Sequence, residues 1–311
     1  MMAPREVSIS EDFIMSKLKT NTIQHTGGSA DNITLDNSQN VTVEGNLTVD
    51  GTLTATQRSN RNLIINGAMQ VNQRGSSSTT TGYATVDRFK VNWGGTDETL
   101  QHNWHDLTSS DTGPWEKGFR NSWYIKNGNQ TSVGVTDHVQ MDYVFEAQDL
   151  ACSGWNHASS SSYVTLSFWV KASVAQNYPM GFRSLDGTSQ VYCMETGSLS
   201  ANTWTKITKT IPGNSNVQID NNNEAGARLM MFPYIGTNYT SAQTMNAWTA
   251  WTSAKHGGFV QDSTWWTTDD ATFEITGVQL EVGSVATDFE HRSFGDELLR
   301  CQRYFQRVNG G

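Results

Sequence analysis

The side chains best suited by type and spacing to do chemistry are aromatic. In NAWTAWTSAKHGGFVQDSTWWTT the tryptophans Trp248, Trp251, Trp265 and Trp266 follow one another closely, with Tyr239 a short way upstream. Flat rings stack on the apolar faces of sugars, and Asn246, Lys255, Gln261 and Asp262 beside them can hydrogen-bond hydroxyls. These five rings are the candidate ligand-binding residues. The same rings are also large apolar bodies, and tryptophan is usually mostly buried. A filled core, or a seam between subunits, is the competing reading of this segment.

His102, His105 and Asp106 form an HxxHD string that invites a metal reading. LQHNWHDL alternates as a strand, however, and strand positions three apart face opposite sides, so no metal site is expected there. Loop carboxylates such as Asp269 and Asp270, with Glu281, are candidates for calcium, although no EF-hand spacing is present. No other cofactor is expected. The sequence holds no GxSxG, no HExxH and no P-loop. Acidic residues are plentiful, but the sequence singles out no pair of the kind that cleaves glycosidic bonds. Binding is therefore the expectation and the chain is not expected to be an enzyme, with polysaccharide cleavage as the competing class.

The elements that must position these groups are strands. Only 36% of the 311 residues are hydrophobic and 16% are charged, and the remainder is rich in Ser, Thr, Asn and Gly, which suits short strands joined by many loops. Strand candidates are 85–91, 100–107, 122–125, 139–146, 163–171, 203–211, 227–234 and 272–282. NLIINGAMQVNQRG reads as a strand, a turn at Asn66-Gly67 and a second strand. So many strands separated by loops predict an all-β fold, an antiparallel jelly-roll sandwich over 57–290. Only the end reads as helical: in DELLRCQRYFQR, Leu298, Leu299, Cys301, Tyr304 and Phe305 fall near helical spacing, giving a C-terminal helix and tail over 291–311.

Before the sandwich lies a six-residue repeat, VTVEGN then LTVDGT then LTA, preceded by ITLDNS in the same style. Val41, Val43, Leu47, Val49 and Leu53 occupy its apolar positions. Ordering six residues costs roughly 6 to 12 kcal/mol in backbone entropy, and two buried aliphatic side chains return only about 3 to 6 kcal/mol. Several copies wound round a common axis bury the apolar positions more completely and pair the strand edges. The expectation is a short intertwined stalk over 20–56, a homotrimer with those five residues at its core, behind an N-terminal attachment tail over 1–19. An extended linker, or a sheet edge of the following domain, is the competing reading.

Charge and cysteines narrow the partners. A net charge of −9 with no basic tract argues against nucleic acid. Cys152, Cys193 and Cys301 are odd in number and far apart, which fits neither a disulfide framework nor zinc and suggests folding in a reducing compartment. No apolar run approaches the roughly 18 to 20 residues of a membrane span, and no signal-peptide layout opens the chain, so no membrane insertion is expected.

Three stretches carry a resemblance: NLIINGAMQVNQRG at 62–75, VDRF at 86–89, and FEITGVQLEVGSVATDFEHRSFGDELLRCQRYF at 273–305. Together with the repeat they resemble tail-fibre or receptor-binding proteins of tailed phages, including marine cyanophages. The resemblance implies a trimeric virion protein made in the host cytoplasm, with a jelly roll similar to carbohydrate-binding modules. It further implies attachment to other virion proteins through the N-terminus and binding of a host-surface receptor, a glycan, for adsorption. A trimeric capsid-decoration or tail-assembly protein without receptor binding is the alternative. The stretches 93–163 and 178–268 depart more freely, and any specificity is expected in their loops.

Overall fold

The computed structural model describes residues 22–23, 33–35, 41–43, 60–240, 244–254 and 256–307. The chain divides into two units, 1–57 and 58–311. In the first, the short strands β1 (Thr22–Ile23), β2 (Ile33–Leu35) and β3 (Val41–Val43) form a three-stranded sheet in that order. Its antiparallel register sets Ile33 opposite Val43, Leu35 opposite Val41 and Thr34 opposite Thr42. The three strands pair with one another along the chain. Closing the short connection between β2 and β3 costs little entropy, which favours the local hairpin. Val41 and Val43 lie on β3, whereas Leu47, Val49, Leu53 and the expected tail over 1–19 lie outside the described residues.

The second unit is the antiparallel β-sandwich expected from the sequence. Its strands are β4 (Ser77–Ser78), β5 (Phe89–Gly94), β6 (Gln101–Asp106), β7 (Asn121–Lys126), β8 (His138–Glu146), β9 (Tyr163–Ala172), β10 (Asn177–Ser184), β11 (Gln190–Ser198), β12 (Thr205–Pro212), β13 (Ala225–Ile235), β14 (Trp248–Ala250) and β15 (Thr272–Val282). One six-stranded sheet runs β14-β11-β10-β13-β8-β5 and the other β12-β9-β15-β7-β6-β4. Alternation decides what faces inward. Val139, Met141, Tyr143 and Phe145 of β8 and Val164, Leu166, Phe168 and Val170 of β9 are all buried in the shared core. Phe89 meets its cross-strand partner Tyr143 at 5.1 Å and, across to the other sheet, Trp123 at 5.7 Å, ring centre to ring centre.

Sequence periodicity located most of these strands within a few residues, but the short β4 and β14 and the longer β10 and β11 escaped it. NYPMGFRS and QVYCMETGS set Pro179, Gly181, Val191 and Cys193 on the face opposite the core, where a polar residue would have marked the strand, and positions on both faces are buried, so clean alternation is lost. NLIINGAMQVNQRG is not a hairpin. It is an irregular crossing whose polar backbone is satisfied by side chains: Asn62 Oδ1 accepts from the amides of Ile64 and Leu280, and the Asn66 side chain accepts from the Val71 amide and donates to the carbonyls of Val71 and Asp87. Asn66 adopts φ of 61°, a left-handed geometry that Asn tolerates better than most residues.

Three short helices interrupt the strands: α1 (Ala147–Ala151), α2 (Thr264–Thr267) and α3 (Phe294–Gln302). The last is capped by Ser293, whose hydroxyl accepts from the Asp296 amide. It packs on its own domain, with Cys301 buried against Ile65 and Val71. Glu297 accepts from the Asn66 amide at 2.8 Å, Gln73 bridges Asp87 and the Phe305 carbonyl, and Arg74 lies over the Phe305 ring. The three stretches that carry the resemblance thus meet as one clasp that shuts the two ends of the sandwich chain together. Among the described residues no helix is long and apolar enough to cross a membrane.

Candidate functional site

The outer face of the sheet containing β5, β8, β13, β10 and β11 is built from the residues that alternate with the core. Register places Lys90 of β5 beside Asp142 of β8, Asp142 beside Met230 of β13, and Arg228 of β13 beside Arg183 of β10. Over β10, β11 and part of β13 this face is apolar, with Val191, Cys193, Met230 and Phe232 buried beneath Tyr239, Met245 and Trp251 from the segment that follows β13. Over β5 and β8 the cover stops. What remains is an open groove of about 470 Å³, with Lys90, Asn92, Gln140, Asp142 and Arg228 along its floor and Thr81 and Gly82 on one side.

The wall opposite is a row of rings. His138 meets Tyr239 at 5.7 Å, Tyr239 meets His256 at 5.5 Å, and His256 meets Trp251 at 5.2 Å, each edge to face. The Arg183 guanidinium lies over the Trp251 ring at 3.3 Å from its centre. His138 Nδ1 hydrogen-bonds the Thr136 carbonyl and its Nε2 pairs with the Asn92 side-chain amide at 3.2 Å. With Nδ1–H donating to the carbonyl, neutral His138 presents Nε2 as the acceptor. The wall is therefore held in a defined orientation before any ligand arrives.

The floor is charged and only partly paired. Asp142 is buried; it accepts from Gln140 Nε2 at 2.7 Å, and its nearest cation, Arg228, stands 3.8 Å away. Burial pushes its carboxyl above the usual range against the pull of Arg228 and the Gln140 hydrogen bond. Burial and the neighbouring Arg228 lower the Lys90 amine, and the same two causes bring the Arg183 guanidinium down to about 10. Arg228 Nε is buried and finds no acceptor among the described residues.

Of the rings singled out by sequence, Tyr239 lines the groove and Trp251 stands behind its wall. Trp265 and Trp266 correct the expectation. Both are fully buried, their indole N–H groups donate to the carbonyls of Thr272 and Ser132, and neither offers a face to a ligand. Trp248 donates to the Pro212 carbonyl and packs on Tyr192. Gln261 serves the backbone of Pro233 and Ile235, and Asp262 serves the start of α2. Sequence reasoning missed Lys90, Asn92, Gln140, Asp142 and Arg228. Their signal is a polar residue at every second place of a strand whose apolar partners already fill the core, as in KVN and QMD.

His102 and His105 part company on β6 as the strand reading requires. His102 is buried against Thr85 and the Thr80 carbonyl, whereas His105 pairs with Glu274 at 2.8 Å. The calcium candidates do not converge: Asp270 pairs with Lys126, while Glu281 receives Thr287 and Gln279 at the far end of β15, roughly 35 Å along an extended strand. Among the described residues no three His, Cys, Asp or Glu side chains are grouped to hold a metal.

The pair most like an acid couple is Glu274 with Asp111, both 2.9 Å from Lys171 Nζ. Burial works against ionisation of each, but His105, Ser122 and Lys171 outweigh it at Glu274. Trp204, Thr108 and Lys171 do the same at Asp111. Both carboxyls are thereby held below the usual range, the opposite of what a general acid requires.

No family model and no curated protein matches the sequence. Solved structures with a similar course of strands include the enzymatically active domain of tailspike protein 4 of bacteriophage CBA120. It is 12% identical over 72% of this chain and 22% of that one, with a TM-score of 0.36. This chain thus spans about a fifth of that protein. A protein of Bacteroides thetaiotaomicron described as sugar-binding is 12% identical over 71% of this chain and 100% of its own, with a TM-score of 0.37. A family 11 carbohydrate-binding module from Clostridium thermocellum, solved with a β-1,3-1,4-mixed-linked tetrasaccharide, is 12% identical over 68% and 98%, with a TM-score of 0.29. Overlaps this small carry no function across, and the groove must be read on its own chemistry.

Proposed function

We propose that residues 60–307 form a non-catalytic glycan-recognition domain, and that the chain is a homotrimeric receptor-binding protein displayed on a tailed-phage particle. The observation that carries the glycan reading is the open groove, whose floor of directional polar side chains faces a fixed wall of rings. Sugars need both, because hydroxyls demand donors and acceptors at set positions while ring faces favour flat apolar surface. Asp142 is the one carboxylate among the groove's lining residues, and hydrolysis by the usual route requires two flanking the bond. The virion reading is supported by the three resembling stretches and the preceding repeat. Three grooves on one trimer would convert weak single contacts into avidity, with 1–19 joining other virion proteins.

A glycan array probed with the full chain tests the binding half. Gln140→Ala and Tyr239→Ala are expected to abolish the signal, and Trp169→Ala, at a separate hollow on the opposite sheet, to leave it. Silence on the array with unchanged cell adsorption by the two variants rejects the reading. Antibody label at fibre tips of whole particles supports adsorption, label over the head supports a decoration role instead, and sedimentation at one chain's mass rejects the trimer.

A further inference from the structure

The floor of the groove holds more positive than negative charge in a chain whose sum is strongly negative. Lys90, Arg228 and, one strand further, Arg183 stand against the single carboxylate of Asp142, while the whole chain carries −9. Arg183 and Arg228 are direct cross-strand partners, and like charges so placed repel. Asp142 does not neutralise them: its 3.8 Å distance from Arg228 is beyond a hydrogen bond, and its other oxygen is engaged by Gln140. Among the described residues the buried Arg228 Nε lacks an acceptor, and about a quarter of the Arg228 side chain is exposed in the groove, so its outer guanidinium nitrogens can donate to the oxygens of an anion. The site is short of one negative group, at a place open to solvent.

We propose that the groove selects a sugar bearing an anionic substituent, a carboxylate or a sulfate ester, seated against Arg228 and Lys90 with its ring beside Tyr239. This rests on the glycan reading above and adds its chemical class. Burial first and Arg228 second lower both Lys90 and Arg183, and Asp142 only partly offsets this, which is in keeping with it.

The full chain is titrated with four probes: oligogalacturonate, the same oligomer methyl-esterified, a sulfated galactan oligomer and neutral galactan. Binding to at least one charged probe should exceed its neutral counterpart by roughly tenfold and weaken with salt; which charged probe binds separates carboxylate from sulfate. Arg228→Gln should reduce that binding by about tenfold or more, and Lys90→Gln by several-fold. Lys90 is partly exposed on the edge strand β5, so its variant keeps the test valid if Arg228→Gln unfolds. Asp142→Asn, which removes the only carboxylate among the groove's described lining residues, should tighten it. Neutral or esterified oligomers bound as well as charged ones, with Tyr239→Ala still abolishing binding, overturn the anionic class and leave the glycan reading standing. Failure of all four probes, with a silent array, overturns both.

Discussion

The guanidinium of Arg88 stands 3.4 Å from the centre of the Tyr304 ring, so a residue of VDRF and one from the last turns of the chain share a cation–π stack. Arg88 is largely buried, holds φ of 73° and donates to the Val144 carbonyl at 2.7 Å. Removing the ring would expose a desolvated cation that is already in a strained backbone geometry. Tyr304→Ala is expected to lower stability by about 2 to 3 kcal/mol in urea unfolding, and Tyr304→Phe, which keeps a π face, by under about 1 kcal/mol. Equal losses would show that the stack contributes little.

Asn66 is fully buried and satisfies three backbone groups with one side chain. Asn66→Ala leaves those groups unpaired and retains a Cβ at positive φ, so a loss of about 3 kcal/mol or more follows. Asn66→Gly relieves the backbone but not the lost bonds, and should be the milder change by about 1 kcal/mol. An Ala variant as stable as Gly would show that the left-handed geometry carries no strain.

Gly67 has no room for a side chain, since a Cβ there would sit 2.0 Å from the Val278 carbonyl oxygen. Its own carbonyl accepts from the Val278 amide at 2.9 Å. Gly67→Ala must part this crossing from β15, and a drop in thermal midpoint of roughly 5 °C or more is expected for a loss of about 2 kcal/mol. An unchanged midpoint would mean the crossing yields easily.

Glu274 links stability to pH. Its folded pKa is depressed because the hydrogen bonds and the Lys171 ammonium outweigh burial. Its contribution is therefore complete above the unfolded value of roughly 4.3 and is lost as pH falls through the lower folded value. His105 has the opposite sign: the Glu274 hydrogen bond raises it, so its contribution is complete below roughly 6.5 and fades as pH climbs through the raised value. Half its side chain is exposed, so that share is small. Urea midpoints of the protein and of Glu274→Gln should differ by the most near about pH 5 to 6 and draw together as pH falls below the unfolded value; a gap that is constant with pH would remove the carboxylate from this role.

The fold was legible where apolar and polar residue types alternate. β8, β9 and β15 follow from that alternation, even though β15 is buried on both faces, whereas β10 and β11 set apolar or small residues on both faces and gave no such contrast. The groove was half legible. Tyr239 and Trp251 drew notice as aromatics, but the same rule promoted Trp265 and Trp266, because a local run of tryptophans does not reveal which rings a two-residue step turns inward. Lys90, Asp142 and Arg228 come from three strands far apart in sequence and become neighbours only through the order β13-β8-β5, which no local pattern states.

The clasp and the groove draw on separate residues. Asn66, Arg88, Glu297 and Tyr304 secure the seam between chain ends, while the polar rows of β5, β8 and β13 take no part in it. Such a division lets the groove's polar rows be rewritten by a few exchanges on one sheet while closure is untouched, so a change of ligand would need new side chains on three strands and no new architecture.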